Sequence, residues 1–187
     1  LATPMILVNG GEVRSSPGRV HARYPLEVRQ VKALRETAVR LGIWYWGYGT
    51  DAAYNRDSWA EDEESVVWLK FGFYSENEDA LAAAAAAARE IGPFEMTNSH
   101  PSNIELNPPG VSKASGLRQV CELLGIGMDE TAACGDSLND IAMLQEAGLG
   151  IAMGNAQEAV KRISDLVTLT NDEDGVAHVI REYILRA

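Results

Sequence analysis

Two aspartates four positions apart, with an asparagine between them, form the part of this chain best suited to chemistry: Gly135-Asp136-Ser137-Leu138-Asn139-Asp140. The stretch follows the short apolar run from Thr131 to Cys134 and leads into a helical pattern from Asp140 to Ala147, so it leaves a buried strand and opens a helix. Asp136 sits at the strand tip, and Asp140 lies one helical turn further on, facing the same way. Two carboxylates over a helix start suit a hard cation bound through oxygen, magnesium being the common choice. Asn139 and the N–H groups of the first turn can donate to an anion. A capping aspartate would explain Asp136 alone. The glycine, the asparagine and the second aspartate together favour a ligand site.

Lys113 is a second candidate. It follows Pro108-Pro109-Gly110-Val111-Ser112, a stiff approach into a helix, and its ammonium can meet a phosphate or neutralise a neighbouring carboxylate. A lysine at a helix start is more often a solvated surface residue, so its weight depends on the residues around it. Crowded aromatics at Trp44, Tyr45, Trp46 and Tyr48, with Tyr54 and Trp59 beyond, are a third feature. On a strand, Trp44, Trp46 and Tyr48 share one face and Tyr45 takes the other. Packing over neighbouring helices accounts for them most simply. Alternatively, the turn from Gly47 to Trp59, with Asn55, Arg56 and Asp57, overhangs a ligand.

The elements that would position these groups change character near Pro108. Before it, the pattern predicts strands at 5–8, 20–24, 43–48, 66–73, 94–97 and 103–106, and helices at 25–41 and 79–90, the latter carrying seven consecutive alanines, Ala82 to Ala88. After it, helices at 113–124, 140–147, 156–163 and 175–185 alternate with strands at 131–134, 150–153 and 166–169. Such alternation implies a parallel, doubly wound sheet buried on both faces, with ligands at the carboxyl ends of its strands.

A net charge of −11 over 187 residues argues against nucleic acid or an anionic membrane as partner. No run of about 20 apolar residues is present, and the apolar opening from Leu1 to Gly10 lacks the basic flank and cleavage site of a signal peptide. Cys121 and Cys134 sit in apolar surroundings and read as small core residues, in keeping with a reducing cytoplasm.

The runs Ile104–Lys113, Gly135–Leu144, Ala147–Ala156 and Asp172–Val176 together resemble the Cof-type phosphatases of the haloacid dehalogenase superfamily. The resemblance implies an α/β fold: a partial doubly wound, Rossmann-like core with an inserted α+β cap. It divides the chain into a core strand segment at 1–15, the cap at 16–103 and the C-terminal half of the hydrolase core at 104–187. By the same resemblance, Lys113 is catalytic and contacts the transferring phosphoryl group, Asn139 binds substrate phosphate, and Asp136 holds Mg2+. Asp140 either shares the metal or orients Lys113. The implied reaction is magnesium-dependent hydrolysis of a small phosphorylated metabolite, a sugar phosphate or similar, through an aspartyl-phosphate.

The family's Asp-x-Asp nucleophile motif is not in this chain, and Asp51 and Asp57 fall in the cap-like region. The chain alone is therefore expected to be inactive, as part of an enzyme of roughly 260 to 280 residues. The missing N-terminal segment or a second copy is expected to complete the sheet. A non-catalytic phosphate- and metal-binding or regulatory module derived from such an enzyme is the alternative. The phosphorylation domain of an ion pump shares the Gly-Asp-x-x-Asn-Asp pattern but requires membrane segments.

Overall fold

A computed structural model describes residues 3–185; Leu1 and Ala2, with which the expected core segment begins, and Arg186 and Ala187 lie outside them. The chain divides after Ser112 into two compact units, close to the change of pattern at Pro108.

The first unit opens with β1 (Met5–Leu7), β2 (Glu12–Ser16) and β3 (Arg19–Arg23), an antiparallel three-stranded sheet. Met5–Leu7, expected as a buried strand, is half-buried and runs antiparallel to β2. It stops at Leu7 because Val8, Asn9 and Gly10 all adopt positive φ, at 52°, 57° and 95°. Left-handed backbone at a β-branched residue is strained. Buried Asn107 holds the turn, its Nδ2 donating to the carbonyls of Val8 (3.0 Å) and Leu69 (3.1 Å). The sequence reading missed β2 because charged Glu12 and Arg14 interrupt its pattern. Glu12 is nevertheless buried, paired with Arg14 Nε at 2.5 Å and Arg23 Nη2 at 2.6 Å.

Next come α1 (Val28–Leu41), β4 (Trp44–Gly49), β5 (Ala53–Asn55), β6 (Trp68–Tyr74), α2 (Glu78–Ile91), β7 (Glu95–Thr97) and β8 (Asn103–Asn107). The strands form one antiparallel sheet in the order β5-β4-β6-β8-β7. Residues from Ile104 to Asn107, which the expected division gave to the core, thus pair with β6 and β7. Both helices cover one face. Val31, Leu34 and Ala38 of α1 and Ala84 and Ala88 of α2 pack on Tyr45, Phe71, Phe73, Ile104 and Leu106. The alanine run allows this because small side chains let a helix approach a sheet closely while keeping high helix propensity. Trp59 and Trp68 stack at 4.8 Å within the same core, their planes 10° apart.

Strand alternation puts Trp44, Trp46 and Tyr48 on the opposite face, outside the helix-packed cluster. Packing over the unit's own helices, the simpler account of Trp44 and Trp46, is therefore incorrect.

The second unit alternates as expected: α3 (Lys113–Leu124), β9 (Ala132–Gly135), α4 (Ile141–Glu146), β10 (Leu149–Ala152), α5 (Glu158–Ile163), β11 (Leu166–Val167) and α6 (Gly175–Val179). The strands pair in parallel, in the order β11-β10-β9. Ala133 of β9, Ala152 of β10, Leu144 of α4 and Val160 of α5 meet in one buried cluster with Ala156. The closing helix departs from expectation: after Val179 it widens into a π-helical turn, Ile180–Ile184. The architecture is a mixed α/β one, a parallel α/β core unit and an antiparallel α+β cap unit.

Candidate active site

In the second unit, the carboxyl ends of the parallel strands collect the polar motifs. β9 ends at Gly135, after which Leu138–Asp140 makes a single 3-10 turn into α4. The loop after β10 docks on the tip of β9: Met153 N–H donates to Gly135 O at 2.9 Å, and Gln157 N–H to Asp136 O at 2.9 Å. Asn155 Oδ1 accepts from Asn171 N–H at 3.0 Å, joining this loop to the one after β11.

Asp140 organises the edge. It is buried, at 3% exposure, and both oxygens are engaged. Oδ2 accepts the backbone N–H groups of Asp136 (3.0 Å) and Ser137 (3.1 Å). Oδ1 takes the Lys113 ammonium at 2.6 Å. An ammonium that spends one N–H on Asp140 keeps two for an anion, and 31% of the lysine side chain remains exposed. Asp136 faces a different environment: it is exposed, its Oδ1 accepting Ser137 Oγ at 3.2 Å. Asn139 lies in the same 3-10 turn, 8% exposed.

Gly135 makes this arrangement possible. A Cβ there would lie 2.4 Å from Asp140 Cβ and 2.6 Å from its Cγ. Gly135→Ala is therefore expected to destabilise the second unit by about 1–3 kcal/mol, read as a drop in urea midpoint followed by circular dichroism. An unchanged midpoint would mean that the contact is readily relieved.

The chain's likeness to known proteins matches this geometry. The family model of the haloacid dehalogenase-like hydrolases matches residues 55–180. The chain belongs to that family. Among haloacid dehalogenase-like hydrolases, a 5-amino-6-(5-phospho-D-ribitylamino)uracil phosphatase of Bacillus subtilis is 40% identical over 185 residues, 99% of this chain and 74% of the relative. A second B. subtilis protein of the same name is 31% identical over 219 residues, covering 98% of this chain and 77% of its own length. The solved structure of a haloacid dehalogenase-like hydrolase from B. subtilis superposes with a TM-score of 0.88 at 26% identity, over 98% of this chain and 80% of that one.

Within this haloacid dehalogenase-like hydrolase, the residues singled out in the sequence fall into two groups. Lys113 and Asp140 form a direct ion pair, and Asp136 joins it through its own backbone. Asn139 is carried by the same turn. Asp51 belongs to the first unit and accepts a hydrogen bond from Tyr54 Oη at 2.6 Å, which holds its carboxyl below the usual range. The sequence reading missed Ser137 and Asn155. Ser137 lies inside the quoted motif, so its position was readable, but nothing in the sequence aims its hydroxyl at Asp136. Asn155 pairs with a residue 16 positions away, beyond any local pattern.

Magnesium fits the donor set in a limited way. Among the described residues, no group of three or more His, Cys, Asp or Glu is gathered for a metal. Asp140 has both oxygens committed, which leaves Asp136 as the carboxylate suited to a cation. That suffices for an ion that commonly takes one or two carboxylates and completes its shell with water and phosphate oxygens.

Proposed function

We propose that this haloacid dehalogenase-like hydrolase is a magnesium-dependent phosphatase acting on a small phosphorylated metabolite through an aspartyl-phosphate, with the nucleophile supplied from outside this chain. The observation that carries the reading is the Lys113–Asp140–Asp136 cluster at the carboxyl edge of a parallel sheet, Lys113 Nζ lying 2.6 Å from a buried carboxylate. Phosphoryl transfer needs chiefly positioning and charge neutralisation. Asp140 holds Lys113 in place, and the ammonium meets the oxygens of the transferring phosphoryl group. Asn139 donates to the substrate phosphate. Asp136 would hold Mg2+, which when bound neutralises charge developing on the phosphoryl oxygens. With its carboxylate taken up by Lys113 and two N–H groups, Asp140 serves as a positioning residue and not as a direct metal ligand.

The two B. subtilis relatives are named for 5-amino-6-(5-phospho-D-ribitylamino)uracil, so we put that compound first among the candidate substrates. The test is phosphate release by the full-length protein from a panel containing it, ribose 5-phosphate, glucose 6-phosphate and para-nitrophenyl phosphate, with magnesium or with chelator. Chelator-sensitive release from at least one ester is expected. Release from none of them with magnesium present would refute the phosphatase reading. In the same assay, the 187-residue chain is expected to stay at background, because Lys113 is paired with Asp140 and Asp136 is assigned to the metal, so neither serves as nucleophile. Turnover by this chain that vanished in Asp51→Asn or Asp57→Asn would place the nucleophile in the first unit.

A further inference from the structure

The helix-free face of the five-stranded sheet has a floor that the fold does not require for packing. Trp46 on β4 pairs across to Gly72 on β6, and a Cβ at Gly72 would fall 2.3, 2.4 and 2.7 Å from three atoms of the Trp46 indole. The indole therefore lies down over the backbone of β6, in space that any other residue would fill, and presents its other face outward. In the next register pair on this face, Trp44 opposes Tyr74, and Trp44, Trp46 and Tyr74 line an apolar concavity of about 510 Å³. The Arg56 guanidinium stands 4.8 Å over the Trp44 ring and keeps a loose pair with Asp57, Nε to Oδ1 at 3.6 Å.

The polar groups bordering this floor are unequally available. In the row Trp46–Gly72–Glu105, the Glu105 carboxylate is buried and accepts from Lys70, Asn9 and Ser99. The Asn55 side-chain oxygen, beside Trp46 on β5, accepts from Asp57 N–H at 2.9 Å. Tyr74 Oη is turned to Glu76 at 3.3 Å. Glu105 and Asn55 thus spend side-chain oxygens on internal donors, while a half-exposed guanidinium remains as donor. A flat π surface beside a cationic donor suits a planar ring carrying carbonyl oxygens.

We propose that this face, floored by Trp46 and edged by Trp44, Tyr74 and Arg56, is a stacking site for a planar heterocycle with ring carbonyls. That the ring belongs to the phosphate ester rests on the phosphatase reading; binding of the ring itself does not.

The test is calorimetric titration of the full-length protein with 5,6-diaminouracil, which has no phosphate, and with ribitol, which has no ring. Saturable binding of the heterocycle is expected. Trp46→Ala should weaken it at least about tenfold, the usual scale for loss of one aromatic stacking partner. Trp46→Phe should stay within about threefold of the parent. Arg56→Gln, at an exposed residue, removes the guanidinium from over Trp44 and should weaken binding several-fold. Lys113→Ala should leave the ring's affinity unchanged while reducing affinity for inorganic phosphate, so a failed phosphatase reading and a failed stacking site give different results. The proposal is overturned by heterocycle binding that survives both Trp46→Ala and Arg56→Gln, or by no binding up to about 10 mM, the weak end of affinities for small rings. Ribitol binding with the same dependence on Trp46, in place of heterocycle binding, would also overturn it.

Discussion

Asp136→Asn is expected to lower the turnover of the full-length protein by about two to four orders of magnitude, the scale on which loss of a metal's charge stabilisation or of an electrostatic anchor acts. The substitution is nearly isosteric, and an amide oxygen still accepts from Ser137 Oγ, so the hydrogen bond present at 3.2 Å has a counterpart in the variant. What disappears is the negative charge. Raising magnesium should therefore recover part of the rate in Asp136→Asn. In Lys113→Ala, expected to lose activity on a similar scale, it should recover none. Steady-state kcat across a magnesium series, with thermal melting as the control for folding, separates the two. A rate within threefold of the parent for Asp136→Asn, in a folded protein, would remove that residue from the site.

Lys70→Met should be among the costliest single changes in the first unit, destabilising it by roughly 3 kcal/mol at neutral pH. Lys70 and Glu105 pair at 3.2 Å with side chains 8% and 6% exposed. Methionine fills much the same volume, so the loss measures the charge left behind more than a cavity. Burial pushes the Glu105 carboxyl up, but the Lys70 charge and the hydrogen bonds from Asn9 and Ser99 outweigh it and hold the group below its ordinary value of 4.5. A carboxyl lowered in the native state contributes stability that is complete above its unfolded value and fades as pH falls through the native one. The gap between parent and variant should accordingly narrow below about pH 4.5. Denaturation midpoints at pH 7 and pH 4 check this, and a gap that widened on acidification would contradict the assignment of charge.

The parallel half of the fold was legible because its signals are local. Each strand from Thr131 onward is a short apolar run closed by a glycine or polar turn, and the site residues share one run of six, Gly135 to Asp140. Lys113 was harder to read, since its partner is 27 positions away; a helix-start lysine next to a proline-rich approach carries no sign of what it will meet. Met5–Leu7 was legible as a strand closed by a turn, but not in its burial or its pairing. Its composition is that of a buried strand, but the left-handed run at Val8, Asn9 and Gly10 turns the chain back into a hairpin, and the asparagine that holds this turn is Asn107. The tryptophans show the limit of alternation: it put Trp44 and Trp46 on one face correctly, yet could not say which face the helices cover. That is decided by the long-range packing of the alanine helix against Phe71 and Leu106.

The stacked pair Trp59 and Trp68 has an optical consequence. All four indoles of the protein precede Lys113, and the only aromatic ring of phenylalanine, tyrosine or tryptophan type after it is Tyr183. Emission excited near 295 nm therefore comes wholly from the first unit, with energy exchanged between two chromophores 4.8 Å apart. The second unit, with Lys113 and Asp136, is dark at that wavelength. A fluorescence melting curve follows the antiparallel unit alone, while amide circular dichroism sums both, so disagreement between the two measures how independently the halves unfold. Cys121 and Cys134, the chain's two thiols, lie in the dark half, and labelling them after denaturant exposure would supply the complementary signal.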